Sequence, residues 1–148
     1  MDYHEYQGEN SLGAKLSNAA RLMTNRLNQR FREHDYPVTV DQWLILMQLW
    51  AHDGQTQNAL ACATHKDQPS ISRLVDNMIK RNLVHRVLHP DDRRANLIYL
   101  TAAGRDMQKG LISQAMQNIQ EASRSIDPPE MEVFLRVLDQ IVKNLESS

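Results

Sequence analysis

The 148-residue chain carries 17 Lys and Arg against 18 Asp and Glu, for a net charge of −1, with 41% hydrophobic and 24% charged residues. That balance describes a globular domain with its own core and excludes a fibrous or disordered chain. Apolar runs such as Trp43 to Met47 fall far short of the roughly 20 residues of a membrane span. The polar, acidic start, Met1 to Asn10, lacks a secretory pattern, and the single cysteine, Cys62, cannot close an internal disulfide. Together these features predict one cytoplasmic unit, 1–148, away from membranes.

Charge is spread unevenly. Residues 66–105 hold eight Lys or Arg against four acids, a local +4, while both flanks are acidic. Such an asymmetry offers a basic surface to a polyanion.

Along the chain, Leu12, Leu16, Ala19, Ala20, Met23, Leu27 and Phe31 recur at steps of three and four. They predict a first helix of roughly 20 residues, ended by Pro37. Thr39 and Gln42 have capping-box spacing ahead of an apolar helix running to about His52, where Asp53-Gly54 breaks it. Thr56 caps a short Ala-rich helix from Gln57 to His65. Asp67 caps the next, with Pro69 in its first turn, where a missing N–H costs nothing. Ile71, Leu74, Val75, Met78 and Ile79 form the inner stripe of that helix. Gln68, Ser70, Ser72, Arg73, Asn77 and Lys80 point outward, with Asp76 expected to pair with Lys80 or Arg73.

After Asn82 the pattern becomes β: Val84 to Leu88 and Leu97 to Leu100 read as a hairpin with a charged tip at 89–96. Thr101 caps a long helix with apolar positions Met107, Leu111, Ala115, Ile119 and Ala122. Asp127-Pro128-Pro129-Glu130 starts the last, with stripe Met131, Leu135, Leu138, Val142 and Leu145. The fold class is therefore mainly α with a small β-hairpin wing, six helices in all.

Two short helices, the second with a polar cationic face, followed at once by a basic-tipped hairpin, make a winged helix-turn-helix. The second helix of such a pair enters the major groove, its N-terminal residues reaching base edges. Gln68, Pro69, Ser70, Ser72, Arg73 and Asn77 are the candidate contacts. No Gly-rich phosphate loop, nucleophile motif or paired carboxylates appear, so no enzyme is expected. Cys62 and His65 are three apart, but the other histidines show no ligand spacing, so no metal or cofactor is expected.

The segment Val38-Thr39-Val40-Asp41-Gln42-Trp43, then Gln57 with Leu60-Ala61, then 66–75, resembles MarR-type regulators. So do Asn82-Leu83-Val84-His85-Arg86, Asp91-Asp92-Arg93-Arg94 and Leu100-Thr101-Ala102-Ala103-Gly104-Arg105. The resemblance covers roughly residues 12 to 145 and is most specific in the Asp-Arg-Arg wing followed by Leu-Thr-x-x-Gly. Two departures stand out: Asn82 replaces a usual glycine, and the third helix is less charged than in most members.

The resemblance implies a DNA-binding part, 38–101, between dimerisation helices at 11–36 and 102–146, with Leu12, Leu16, Leu138, Ile141, Val142 and Leu145 in the dimer contact. It implies a homodimer on a pseudo-palindromic double-stranded operator, half-sites one helical turn apart. Arg86, Asp91, Arg93 and Arg94 would act in the wing, the last two arginines entering the minor groove and Asp91 or Asp92 orienting one of them. It further implies repression relieved by a small aromatic or phenolic effector, in a pocket drawn from Arg21, Met23, Tyr36, Trp43, Met47 and Trp50, with His52 as another polar group. Core packing is the competing account of those aromatics. Two rival readings remain: a winged-helix protein-interaction module that binds no DNA, and a regulator sensing redox state through Cys62.

Overall fold

The computed structural model describes residues 3–92 and 95–146. After two 3-10 turns come α1 (Leu12–Glu33), α2 (Val40–Ala51), β1 (Gln55–Thr56), α3 (Gln57–Thr64), α4 (Gln68–Lys80), β2 (Val84–Leu88), β3 (Asn96–Leu100), α5 (Ala102–Asp106), α6 (Gln108–Ala122) and α7 (Pro128–Glu146).

The helix starts are the ones the caps encode. Thr39 accepts from Gln42 N while the Gln42 side chain returns to the Thr39 N–H, a complete capping box. Thr56, Asp67 and Thr101 accept from Ala59 N, Ser70 N and Gly104 N. Each satisfies a backbone donor that the first helical turn leaves open. Asn82, at φ 59°, takes the left-handed conformation that ends α4, which Asn tolerates.

Two elements differ from the sequence reading. Gln55–Thr56 forms a third strand, giving an antiparallel sheet of order β1-β3-β2 with Gln55 opposite Ile98 and Thr56 opposite Leu97. Two residues are too few for any periodicity to announce. The helix expected to run unbroken from Thr101 is divided at Met107 into α5 and α6. The two pieces serve different neighbours: α5 is held at Gly104 against the hairpin, and α6 lies along α1.

The core lies in the helix-turn-helix part: Phe31, Ile45, Leu46, Leu49, Leu60, Ile71, Val75, Met78, Ile98 and Leu111 are fully buried. Trp43 meets Phe31 and Trp50 edge-on at centroid distances of 6.0 and 5.7 Å, and Phe31 meets Tyr36 at 6.4 Å. Each of these contacts adds about 0.5–1.5 kcal/mol beyond area burial. The Trp50 indole N–H donates to Gly104 O at 3.0 Å, joining α2 to α5.

Elsewhere the apolar stripes are uncovered. On α1 only Leu27 and Phe31 are buried, and α7 buries nothing: Phe134, Leu135, Val142 and Leu145 are about half exposed or more. On α6 the buried residues are Leu111, Gln114 and Asn118, whereas the apolar positions Ile119 and Ala122 are exposed. The inward face is set by Leu111 and by Asn118, whose Nδ2 donates to Met23 O on α1 at 3.2 Å. No helix among the described residues is long and apolar enough to cross a membrane.

Candidate nucleic-acid interface

The turn from α3 to α4 is closed by His65 in the left-handed conformation and by Lys66 N donating to Ala61 O at 3.0 Å. Asp67 then caps α4, accepting from Ser70 N at 2.8 Å. Hydrogen bonds from Ser70, backbone first, together with the nearby Arg73 charge, hold the Asp67 carboxyl below its ordinary pKa.

The buried stripe of α4 (Ile71, Val75, Met78) fixes which face looks out. Gln68, Pro69, Arg73, Asn77 and Lys80 are exposed, and Ser70 and Ser72 half-exposed, so the structure brings the six candidate contact residues onto one face. Arg73 Nη2 lies 3.5 Å from Ser70 Oγ. Gln68 donates to Asn58 on α3, and Asn77 Oδ1 accepts from the buried Gln42 at 3.0 Å, which orients its amide. A cleft of about 430 Å³ runs beside this face, lined by Lys66, Arg73 and Arg81 among others. Lys66 is paired with Asp41 at 2.9 Å, and Arg81 donates to Pro37 O. The face therefore carries several cations within reach of a polyanion.

In the wing, β2 and β3 pair from Val84–Leu100 to Leu88–Asn96. Asp91 is exposed, its N–H donating to His89 Nδ1 at 3.0 Å. Arg93 and Arg94, the expected minor-groove arginines, lie outside the described residues. Arg86 is turned inward: Nε and Nη2 donate to Gln57 Oε1 at 3.1 and 2.8 Å, and Nη2 to Asp76 Oδ1 at 2.8 Å. Asp76 thus pairs with a wing residue and not with Lys80 or Arg73, because folding the hairpin back brings β2 alongside α4.

The six expected effector-pocket residues are not gathered around one cavity. Tyr36, Trp43 and Trp50 belong to the aromatic core cluster. Met47 is exposed on α2, and Arg21 is exposed on α1, bonded to Asn18 at 2.7 Å. Met23 borders a cleft of about 460 Å³ between α1 and α6, with Arg26, Asn118 and Glu121. There Glu121 is bound by Arg26 and Arg30, which hold its carboxyl below the usual range, the Arg26 hydrogen bond contributing most. The sequence reading missed this cluster: its members lie some 90 residues apart, and the polar pair Gln114 and Asn118 within an otherwise apolar α6 face was its one signal.

Of the six expected dimer-contact residues, Leu12, Val142 and Leu145 are exposed and Leu16, Leu138 and Ile141 half-buried. Cys62 is exposed on α3. Among the described residues no three His, Cys, Asp or Glu converge as a metal site.

Comparison with known proteins agrees with this geometry. The MarR family model matches residues 38–95, from just before α2 through β2, ending just before β3. An uncharacterized HTH-type transcriptional regulator of Mycobacterium bovis, Mb0904, is 24% identical over 91% of this chain and 96% of its own. Among solved structures, the transcriptional regulator PA3341 is 28% identical with a TM-score of 0.78, covering 93% of this chain and all of that one. BpsR of Bordetella bronchiseptica, whose DNA binding is regulated by 6-hydroxynicotinic acid, shares the fold at a TM-score of 0.83 and 23% identity over 93% of this chain and 96% of its own. The matched family segment covers the helix-turn-helix and the first wing strand, and the fold is shared over nine-tenths of the length, so this chain is similar to the winged helix-turn-helix transcriptional regulators of the MarR family.

Proposed function

We propose that the chain acts as a homodimeric repressor that binds a pseudo-palindromic double-stranded operator, with α4 in the major groove and the wing on the adjacent minor groove. The observation that carries this reading is the outward face of α4, where Arg73, Ser70, Ser72 and Gln68 project beside Lys66 and Arg81. Polar groups near the N-terminus of such a helix read base edges, and flanking cations neutralise phosphates. In the wing, Asp91 and the two arginines Arg93 and Arg94 take the minor-groove role, where a narrow groove concentrates negative potential. A protein-interaction module would be served by a neutral or acidic recognition face, which this is not.

The second copy is supported by the uncovered apolar surface of α1, α6 and α7, including Leu12, Ile119, Val142 and Leu145. A 19-residue helix with nothing buried has little reason to be helical unless its apolar stripe is covered. A dimer places two α4 helices about 34–36 Å apart, one turn of DNA. The solved relative regulated by 6-hydroxynicotinic acid supports a small aromatic acid as effector class. The α1–α6 cleft, with Met23 for a ring, is its proposed seat. Binding there releases DNA if it favours a spacing of α4 helices that no longer fits both grooves.

The test is binding of the purified protein to its own upstream DNA over a salt series. Wild type should bind one fragment specifically with a steep salt slope. Arg73→Ala should cost about 1–3 kcal/mol of specific binding, and the double change Arg93→Ala, Arg94→Ala a comparable amount with a shallower slope. Salt-insensitive binding that ignores sequence would end the reading.

A further inference from the structure

We propose that Arg86 is a positioning residue that fixes the wing against the recognition helix through Asp76 and Gln57, instead of contacting DNA itself. The proposal rests on the reading of α4 and the wing as a two-part DNA interface.

The sheet holds the two strands of the hairpin unequally. Strand β3 is central, laddered to β1 at Leu97 and Ile98, and β1 runs directly into α3. Strand β2 is the outer edge, anchored at its base by the buried Val84, while Val87 and Leu88 farther out are 41% and 66% exposed. A hairpin held along one strand and at one end retains a swing about that ladder. The Arg86 guanidinium removes it. From the middle of β2 it reaches the first residue of α3 and the middle of α4 together, with Gln57 Oε1 at 2.8 Å and Asp76 Oδ1 at 2.8 Å from the same Nη2. A planar fork with fixed donor directions sets an angle between three elements that a flexible ammonium cannot.

Burial separates this role from a merely stabilising one. The Arg86 and Asp76 side chains are 31% and 54% exposed, and ion pairs so open to water contribute little to folding. The orientation they impose matters only when α4 and the wing must fit two grooves at once. Electrostatics alone predicts the opposite result for Asp76: removing an acid next to a DNA-binding face should tighten binding to phosphates.

The experiment compares wild type, Asp76→Asn, Arg86→Lys and Arg86→Ala in the full-length protein. Affinity is measured for the specific upstream fragment and for a random-sequence duplex across a salt series. In parallel, the distance between spin labels at Leu88 and Ala63 is measured without DNA, in a Cys62→Ser background. The expected result is a loss of about tenfold or more in specific affinity for both Asp76→Asn and Arg86→Lys. Random-duplex affinity should be equal or higher for Asp76→Asn, the salt slope for Arg86→Lys unchanged, and the label distances broadened. Wild-type affinity for Arg86→Lys, with Arg86→Ala losing about one unit of salt slope, would make Arg86 a phosphate contact and overturn the proposal. Tighter specific binding by Asp76→Asn, or label distances identical to wild type, would overturn it as well. A wild type that binds no fragment specifically would sink the DNA reading instead, and the label distances would still decide whether this guanidinium holds the wing.

Discussion

Asp67 shows how much one side chain can do at the start of α4. Its carboxylate caps α4, and the hydrogen bonds from Ser70 lower its pKa on folding. A carboxyl lowered in the folded state contributes stability above its unfolded pKa, and that contribution is lost as pH falls through the folded value. Denaturant midpoints of wild type should therefore drop on acidification below the ordinary aspartate range. Asp67→Asn keeps a capping side chain without titrating and should show a smaller drop; parallel curves would remove Asp67 from the acid response. Gly104 makes a steric prediction. A Cβ there would collide with the Leu83 carbonyl oxygen, which also accepts from Thr101 N at 3.0 Å. Gly104→Ala should destabilise by about 1–3 kcal/mol through overpacking, whereas Gly13→Ala on α1, with nothing within 4 Å of the added carbon, should be neutral or stabilising by up to about 1 kcal/mol. The caps at Thr39, Thr56, Asp67 and Thr101 were legible because a cap is settled within four residues of chain. The partner of Asp76 was not, because Arg86 reaches it only after the hairpin has folded back.

Helix faces are legible from periodicity only where one stripe has one neighbour. Helix α4 met that condition: of its expected inner stripe, Ile71, Val75 and Met78 are fully buried, and Leu74 and Ile79 are half-buried. The stripe read on α6 mixed two faces: Leu111 packs inward with Gln114 and Asn118, while Ile119 is 58% exposed. Unfolding measurements should separate them. Leu111→Ala should cost about 2–5 kcal/mol at any protein concentration, whereas Ile119→Ala should act through the partner contact and its effect should fade in the dissociated protein. Equal, concentration-independent losses would put Ile119 back in the core. The strand at Gln55–Thr56 was invisible for a different reason: its two residues owe their conformation to β3 and not to any pattern of their own.

For the molecule as a whole, the fold and the helix-turn-helix were readable in the sequence because order, caps and charge all pointed one way. The place of the two tryptophans was not, since Trp43 and Trp50 look the same in sequence whether they line a cavity or fill a core. The proposed second copy on the uncovered surface of α1, α6 and α7 would make assembly part of folding, so the thermal midpoint should rise with protein concentration. A midpoint constant over a hundredfold dilution would mean that the protomer stands alone. The chain's two tryptophans, Trp43 and Trp50, are in contact with each other, and Trp50 is bonded to Gly104 where α2 meets α5. Tryptophan emission therefore comes from the junction between the helix-turn-helix part and the helices at the chain ends, so the protein carries an optical reporter at a joint between them.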